Sequence, residues 1–461
     1  MPVNENWRPT VVAFCCNWCS YAGADLAGSS RLSYPADVKI IKVPCSCRVN
    51  PMFILRAFEK GADGVILCGC HPGDCHYSTG NYYARRRMTL LFSMLDYLGV
   101  ENGRTRVGVG LRRRGRQVLG NHERLCGDGA RAWPQREIGG SAMQEMILRA
   151  RALLESGAVC RVLGWKKGET EFDAEPAFFE TDESLKDFTY SGFCGANLSK
   201  YMIEAGKKEG RTLVFLKPCD SYSYNQLLRE HRVDREKAYI IGIGCKGKLS
   251  VNKIPFDGIL SVQGADYPDH EEYLTVQTLY GTEHIAYQNA MLERCHVCKG
   301  KEHVVYDELL GDSEDTVDAD RFAQVAELET MTPEERFAFF QGELSKCIRC
   351  NACRNVCPAC SCRKCVFDST AFDSAQKANT TSFEEKMFHI IRAFHVAGRC
   401  TDCGECSRVC PQGIPLHLFN RKFIKDINTL YGDYQAGADL EGKAPLTSFR
   451  TDDAEPGVGR G

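Results

Sequence analysis

The 461-residue chain contains no run of about 18 apolar residues, so no membrane-spanning helix is expected. Its formal net charge is only −2, which leaves no global basic field and argues against a nucleic-acid partner. The stretch Met1 to Pro9 lacks an apolar core and a small-residue cleavage site, so no signal peptide and a cytoplasmic location are expected. No G-x-G-x-x-G follows a strand-like run, which removes the usual nicotinamide fingerprint. No Ser/His/Asp or paired-carboxylate constellation stands out, and no catalytic residue is assigned.

What the chain has in excess is cysteine, 26 residues of it, too many for free thiols in a reducing compartment where disulfides are rare. Tight C-x2-C spacing favours metal or redox use. Two runs near the C-terminus decide the class. Cys347-Ile-Arg-Cys350-Asn-Ala-Cys353-Arg-Asn-Val-Cys357-Pro and Cys400-Thr-Asp-Cys403-Gly-Glu-Cys406-Ser-Arg-Val-Cys410-Pro both read C-x2-C-x2-C-x3-C-P. That is the bacterial ferredoxin run, in which three cysteines hold one cubane and the fourth reaches across to the other. One [4Fe-4S] cluster would take Cys347, Cys350, Cys353 and Cys410, and the second Cys400, Cys403, Cys406 and Cys357. Zinc, the competing occupant of any C-x2-C pair, would want a longer gap after the first two thiols.

At about 150 residues per domain, three domains are expected. The alternation of strand-like and helical patterns predicts an α/β fold with a small parallel-sheet N-terminal domain over 1–145, its last third a connector. In such sheets ligands sit beyond the carboxyl ends of the strands. Cys15, Cys16 and Cys19 follow the first strand, Cys45 and Cys47 the second, and Cys68, Cys70 and Cys75 the third. A second α/β domain is expected over 146–330 and a 2[4Fe-4S] ferredoxin-like domain over 331–435. The helix of that third domain starts at Thr332-Pro333-Glu334-Glu335, a capping signature. Residues 436–461 read as a polar tail, disordered or an arm on a partner. Arg112-Arg113-Arg114-Gly115-Arg116 is a solvated face or a docking surface for an acidic partner or a flavin phosphate.

The stretches Cys16-Asn-Trp-Cys19-Ser-Tyr-Ala-Gly-Ala-Asp25 and Gly69-Cys70-His71-Pro-Gly-Asp-Cys75-His76-Tyr77 resemble the delta subunit of the methyl-viologen-reducing hydrogenase, over about residues 8–100. The resemblance implies one [2Fe-2S] cluster and electron transfer to the flavin subunit of heterodisulfide reductase. The pattern matches at Cys16, Cys19, Cys45, Cys70 and Cys75, of which four would be ligands and one a spare. Cys15, Cys47 and Cys68 are extra to it and are read as core thiols. His71 and His76 are candidates either for ligation or for hydrogen bonding to cluster sulfur.

The middle region carries Ser191-Gly192-Phe193-Cys194, then Lys217-Pro218-Cys219, Gly244-Cys245 and Cys295-His-Val-Cys298. These resemble the beta subunits of formate dehydrogenase and of the deazaflavin-coenzyme-reducing hydrogenase. The resemblance implies FAD and one [4Fe-4S] cluster, held by Cys219, Cys245, Cys295 and Cys298. It also implies a flavin phosphate at the Ser191-Gly192 turn, although Phe193 replaces the family's second glycine. Cys360, Cys362 and Cys365 are read as three ligands of a further [4Fe-4S] cluster with Cys194 as the fourth, or as substitutes for some of the middle ligands.

Together these readings describe an iron–sulfur electron-transfer subunit. It would relay between a heterodisulfide-reductase-A-like flavoprotein and the catalytic subunit of a formate dehydrogenase or hydrogenase, in a complex whose partner flavin can split electron pairs. The alternatives are an FAD-containing oxidoreductase subunit that works on a deazaflavin or nicotinamide coenzyme, and a zinc-filled scaffold.

Overall fold

The computed structural model describes residues 9–29, 37–100, 104–110, 142–170, 172–265, 272–298, 302–311, 320–368 and 382–453. The basic run Arg112 to Arg116 lies outside them. Four strands, β1 (Val11–Cys16), β2 (Val38–Val43), β3 (Gly64–Cys70) and β4 (Thr105–Gly110), form a wholly parallel sheet in the order β2-β1-β3-β4. The crossovers include α1 (Ala22–Ser29), α2 (Pro51–Glu59) and α3 (Gly80–Tyr97). Asn50 caps α2, its side-chain oxygen accepting from the Met52 N–H at 2.9 Å, and Pro51 occupies the first turn, where a missing N–H costs nothing.

After α4 (Ala142–Glu155), a five-stranded sheet runs in the order β12-β8-β7-β5-β6. Its members are β5 (Arg161–Lys167), β6 (Ala174–Phe179), β7 (Thr212–Leu216), β8 (Ala238–Ile243) and β12 (Glu308–Leu310); all pairings are parallel except β5 with β6. Leu213, Val214, Phe215 and Leu216 are wholly buried, the continuous apolar run of a strand covered on both faces. One covering helix, α5 (Pro218–Arg229), starts directly after β7. Between β8 and β12 lies an antiparallel meander of β9 (Ile259–Gln263), β10 (Tyr273–Thr278) and β11 (Gly281–Ala286). The sequence suggests a helix from Ala286 to Leu292, but β11 runs through Ala286 and only one helical turn follows, at Tyr287–Ala290.

The C-terminal region contributes α6 (Ala323–Thr330), α7 (Pro333–Ser345), α8 (Ser382–Val396) and α9 (His417–Tyr431). The capping box at Thr332 is present in full: its hydroxyl accepts from the Glu335 N–H and the Glu335 carboxylate accepts from the Thr332 N–H. These helices do not form a separate bead. Leu90, Leu91 and Met94 of α3 share one apolar core with Phe340, Ile391, Phe419 and Phe423. The dicluster region is therefore built onto the back of the N-terminal sheet.

The expected free arm is corrected by the structure as far as residue 453. The Asn225 amide donates to the Gly437 carbonyl, Phe449 stacks on Tyr82 with ring centroids 4.7 Å apart, and Arg86 grips Asp453 through two hydrogen bonds of 2.6 and 2.9 Å. Both side chains of that pair are only 5% exposed, so removing one leaves a buried, unpaired charge. Asp453→Ala should therefore destabilise the fold by roughly 3 kcal/mol and expose residues 445–453 to protease; differential scanning calorimetry and limited proteolysis measure both.

A string of cysteine sites joined by buried charge

Beyond the carboxyl edge of the parallel sheet the thiols gather as the strand order requires. Cys16 ends β1, and Cys19 rides on a single π-helical turn, Asn17–Tyr21. Cys45 and Cys47 follow β2, Cys70 ends β3, and Cys75 lies in the loop leading to α3. The sulfurs of Cys16, Cys19 and Cys70 all lie within 4.8 Å of one another. A Cβ on Gly80, at the start of α3, would sit 2.8, 3.2 and 3.3 Å from the sulfurs of Cys45, Cys47 and Cys75. Cys16, Cys45, Cys70 and Cys75 form one buried cluster against which Cys19 and Cys47 pack. The reading of Cys47 as a core thiol is thus corrected: it belongs to this group. Its C-x-C spacing from Cys45 across a short 3-10 turn, Ser46–Arg48, was the available signal.

Cys15 and Cys68 stand apart from that group, paired with each other in register across β1 and β3. His76 stacks on Trp18 with ring centroids 3.6 Å apart, while its backbone N–H donates to Cys70 sulfur. Burial pushes the Cys45 thiol up to about 12. Thiols crowded in an apolar setting shed their protons only against a positive charge, which a coordinated metal supplies.

In the middle region Cys219, Cys245, Cys295 and Cys298 all line one small cavity. Cys219 enters on the first turn of α5, Cys245 follows β8, and the other two flank the end of the turn Glu293–His296. The Lys248 N–H donates to Cys295 sulfur at 3.4 Å, and the Arg294 guanidinium reaches Cys298 sulfur at 4.0 Å. A pocket of four thiols held by buried cations fits an anionic cluster.

In the two C-terminal runs the loops repeat one backbone shape. Arg349 (φ 55°) and Asn351 (φ 62°) flank Cys350, and Asp402 (φ 56°) and Gly404 (φ 72°) flank Cys403. Left-handed backbone costs a non-glycine residue about 1–2 kcal/mol. Successive N–H groups aimed inward this way make the nests that hold Fe–S clusters. Cys353 feels the charge of Arg392 first and then of Cys406, Cys347 and Cys410, and Cys357 bears on both Cys400 and Cys403. Cys350 lies at the exposed rim.

The further four-cysteine set is not brought together. Cys194 is buried in the core of the five-stranded sheet, its thiol donating to the Thr189 carbonyl at 3.7 Å. Cys360 packs with Cys357 and Cys400, Cys365 against the α-helical core beside Arg354, and Cys362 is exposed. At Ser191-Gly192, the turn read as a flavin phosphate contact, the glycine N–H is already engaged. The Gly192 N–H is given to the Ala265 carbonyl at 2.7 Å, and a Cβ there would lie 2.7 Å from both Leu249 and the Tyr287 hydroxyl. A 3-10 turn, Leu198–Tyr201, follows and runs directly into a helical turn, Met202–Ala205.

Two contacts tie the middle cavity to the second run. Arg294, from that cavity, packs against Gly404, where any Cβ would collide with it. Lys248, 1% exposed, lies 3.6 Å from Asp220 and 3.4 Å from Glu405, between Cys403 and Cys406. Burial alone would raise the Glu405 pKa, but Lys248 and Arg408 outweigh it and hold the carboxyl at about 2.

Residues 11–118 match the family described as methyl-viologen-reducing hydrogenase, delta subunit, and residues 343–414 match a 4Fe-4S dicluster domain. The chain is 59% identical over 100 residues to the D-type iron-sulfur protein of the vhc F420-non-reducing hydrogenase from Methanococcus voltae, covering 22% of this chain and 69% of that protein. It is 49% identical over 98 residues to the A-type component of the ferredoxin/F420H2-dependent CoB-CoM heterodisulfide reductase from Methanosarcina acetivorans, covering 21% of this chain and 12% of that one. A solved F420-reducing [NiFe] hydrogenase complex from Methanosarcina barkeri aligns at TM-score 0.25 and 11% identity over 45% of this chain and 89% of that one, too slight to bear on fold or function.

Because Gly80 leaves no space for a side chain, Gly80→Val should lower the iron content of the chain by the share held at the N-terminal cysteine group while sparing the C-terminal centres. Iron and sulfide assays with electron paramagnetic resonance (EPR) spectroscopy check this, and unchanged iron would contradict the packing argument.

Proposed function

Through its N-terminal region the chain belongs to the methyl-viologen-reducing hydrogenase delta-subunit family, and from that premise we propose an iron–sulfur relay joining two partner enzymes. One partner would be the catalytic subunit of a formate dehydrogenase or hydrogenase, and the other a heterodisulfide-reductase-A-like flavoprotein. The presence of a related stretch within the A-type component of a heterodisulfide reductase supports the second partner. Among the described residues no helix is long and apolar enough to cross a membrane, and we place the work in the cytoplasm.

The observation that carries the proposal is the contact of Arg294 and Lys248 with both the middle cavity and the second cysteine run. We assign a [2Fe-2S] cluster to four of Cys16, Cys19, Cys45, Cys47, Cys70 and Cys75. A [4Fe-4S] cluster would be held by Cys219, Cys245, Cys295 and Cys298, and two more by the ferredoxin runs with their fourth cysteines, Cys357 and Cys410, exchanged. Bound clusters supply one-electron redox chemistry, and the chain's own residues set the rest. Arg294 and Lys248 offset negative charge in the middle cavity, and the left-handed loops present N–H groups to sulfur. The reading as an FAD enzyme working on a deazaflavin or nicotinamide coenzyme is weakened at the Ser191-Gly192 turn, whose glycine N–H is given to Ala265.

Anaerobically purified complex should contain about 14 iron atoms per copy of this chain, with matching acid-labile sulfide. It should also contain a flavoprotein and a nickel, molybdenum or tungsten subunit. Zinc in place of iron, or the absence of both partners, would overturn the proposal.

A further inference from the structure

The helix α8, Ser382–Val396, lies in the chain between the two ferredoxin runs and packs against α2, α7 and α9. It carries a cation that has no acceptor among the described residues. Arg392 is 1% exposed, and among the described residues none of its three side-chain nitrogens has a hydrogen-bond partner. One turn earlier, His389 is also 1% exposed, and neither of its ring nitrogens has a partner among the described residues. Burial, then Arg392 and Arg349, push the imidazole down to about 3. Burial opposes the charge on Arg392, but negative charge on the sulfurs of Cys406, Cys353, Cys357 and Cys360 more than compensates. They come from both runs and the stretch just after the first.

A buried guanidinium whose five N–H donors meet no acceptor is among the costliest arrangements a core can hold. Its cost disappears if the acceptors are the sulfurs of anionic clusters. Four other arginines in or near the runs are paired with carboxylates: Arg354 with Asp368, Arg408 with Glu405, Arg421 with Asp402, and Arg399 with Glu230. Among the described residues Arg392 has no such carboxylate.

We propose that Arg392, assisted by His389, is a positioning residue shared by the two ferredoxin-type centres, donating N–H···S bonds to both and raising both reduction potentials together. The inference rests on the cluster reading given above. Its distinguishing feature is the sharing. A fixed cation between two centres stabilises an added electron on either one, whereas a residue beside one centre would shift that centre alone.

The test is an EPR-monitored redox titration of the holo-complex carrying Arg392→Gln or Arg392→Lys. Iron and sulfide are counted first. If the wild-type C-terminal centres hold no iron, the cluster reading fails, independently of this one. With iron retained, R392Q should lower both midpoints, each by a tenfold fall in the reduced-to-oxidised ratio at fixed ambient potential, about 59 mV for one electron. R392K, which keeps the charge, should recover most of both shifts. Unchanged midpoints, or a shift confined to one centre, would overturn the proposal. If R392Q does not retain iron, wild-type and R392K complexes labelled with guanidinium-15N arginine decide the matter. A 15N hyperfine coupling to the reduced clusters should be present in wild type and absent in R392K; its absence from wild type would overturn the proposal.

Discussion

Buried charge is the constraint on which this architecture turns. Lys248, Asp220 and Glu405 are each no more than 1% exposed, and they come from the loop after β8, from α5 and from the second cysteine run. Each would be costly to bury alone, so the loop, the helix and the run are obliged to meet at one point. Arg408 and the Asn197 N–H complete the set around Glu405. The middle sheet and the dicluster region are thereby held in one relative position by charge, as the N-terminal sheet and the dicluster helices are held by shared apolar packing. The N-terminal cysteine group, the middle cavity and the two C-terminal runs end up fixed along one body instead of swinging on linkers.

Much of this was legible in the sequence where one residue type served one local purpose. Cysteines at the ends of apolar runs marked the carboxyl edge of a parallel sheet, because that edge is where such sheets place ligands. Thr332-Pro333-Glu334-Glu335 marked a helix start because the capping chemistry is local. The four middle cysteines could be grouped from strand ends and a family resemblance, and they do line one cavity.

What was not legible depended on contacts across long stretches of chain. Cys47 looked surplus beside a five-cysteine pattern, and only the approach of α3 at Gly80 brings it into the group. The turn at Ser191-Gly192 has the composition of a phosphate loop. Its N–H is nonetheless taken by Ala265, far along the chain, and no local pattern announces that. The tail after 436 has a polar composition, yet Arg86 lies where Asp453 can reach it. Arg392 sits within an apolar helical stripe and reads as an interruption until the thiols around it are seen.

The two cysteine loops are alike in backbone and unlike in neighbourhood. At corresponding places one carries Asn351 and the other Gly404. Asparagine tolerates the left-handed conformation, so the conformation alone did not require glycine at 404. The side chain of Arg294 did, because it lies where a Cβ would stand. The loops therefore cannot be exchanged, although each would fit the other's cluster. The docking of the middle sheet against one loop and not the other gives the pair a front and a back.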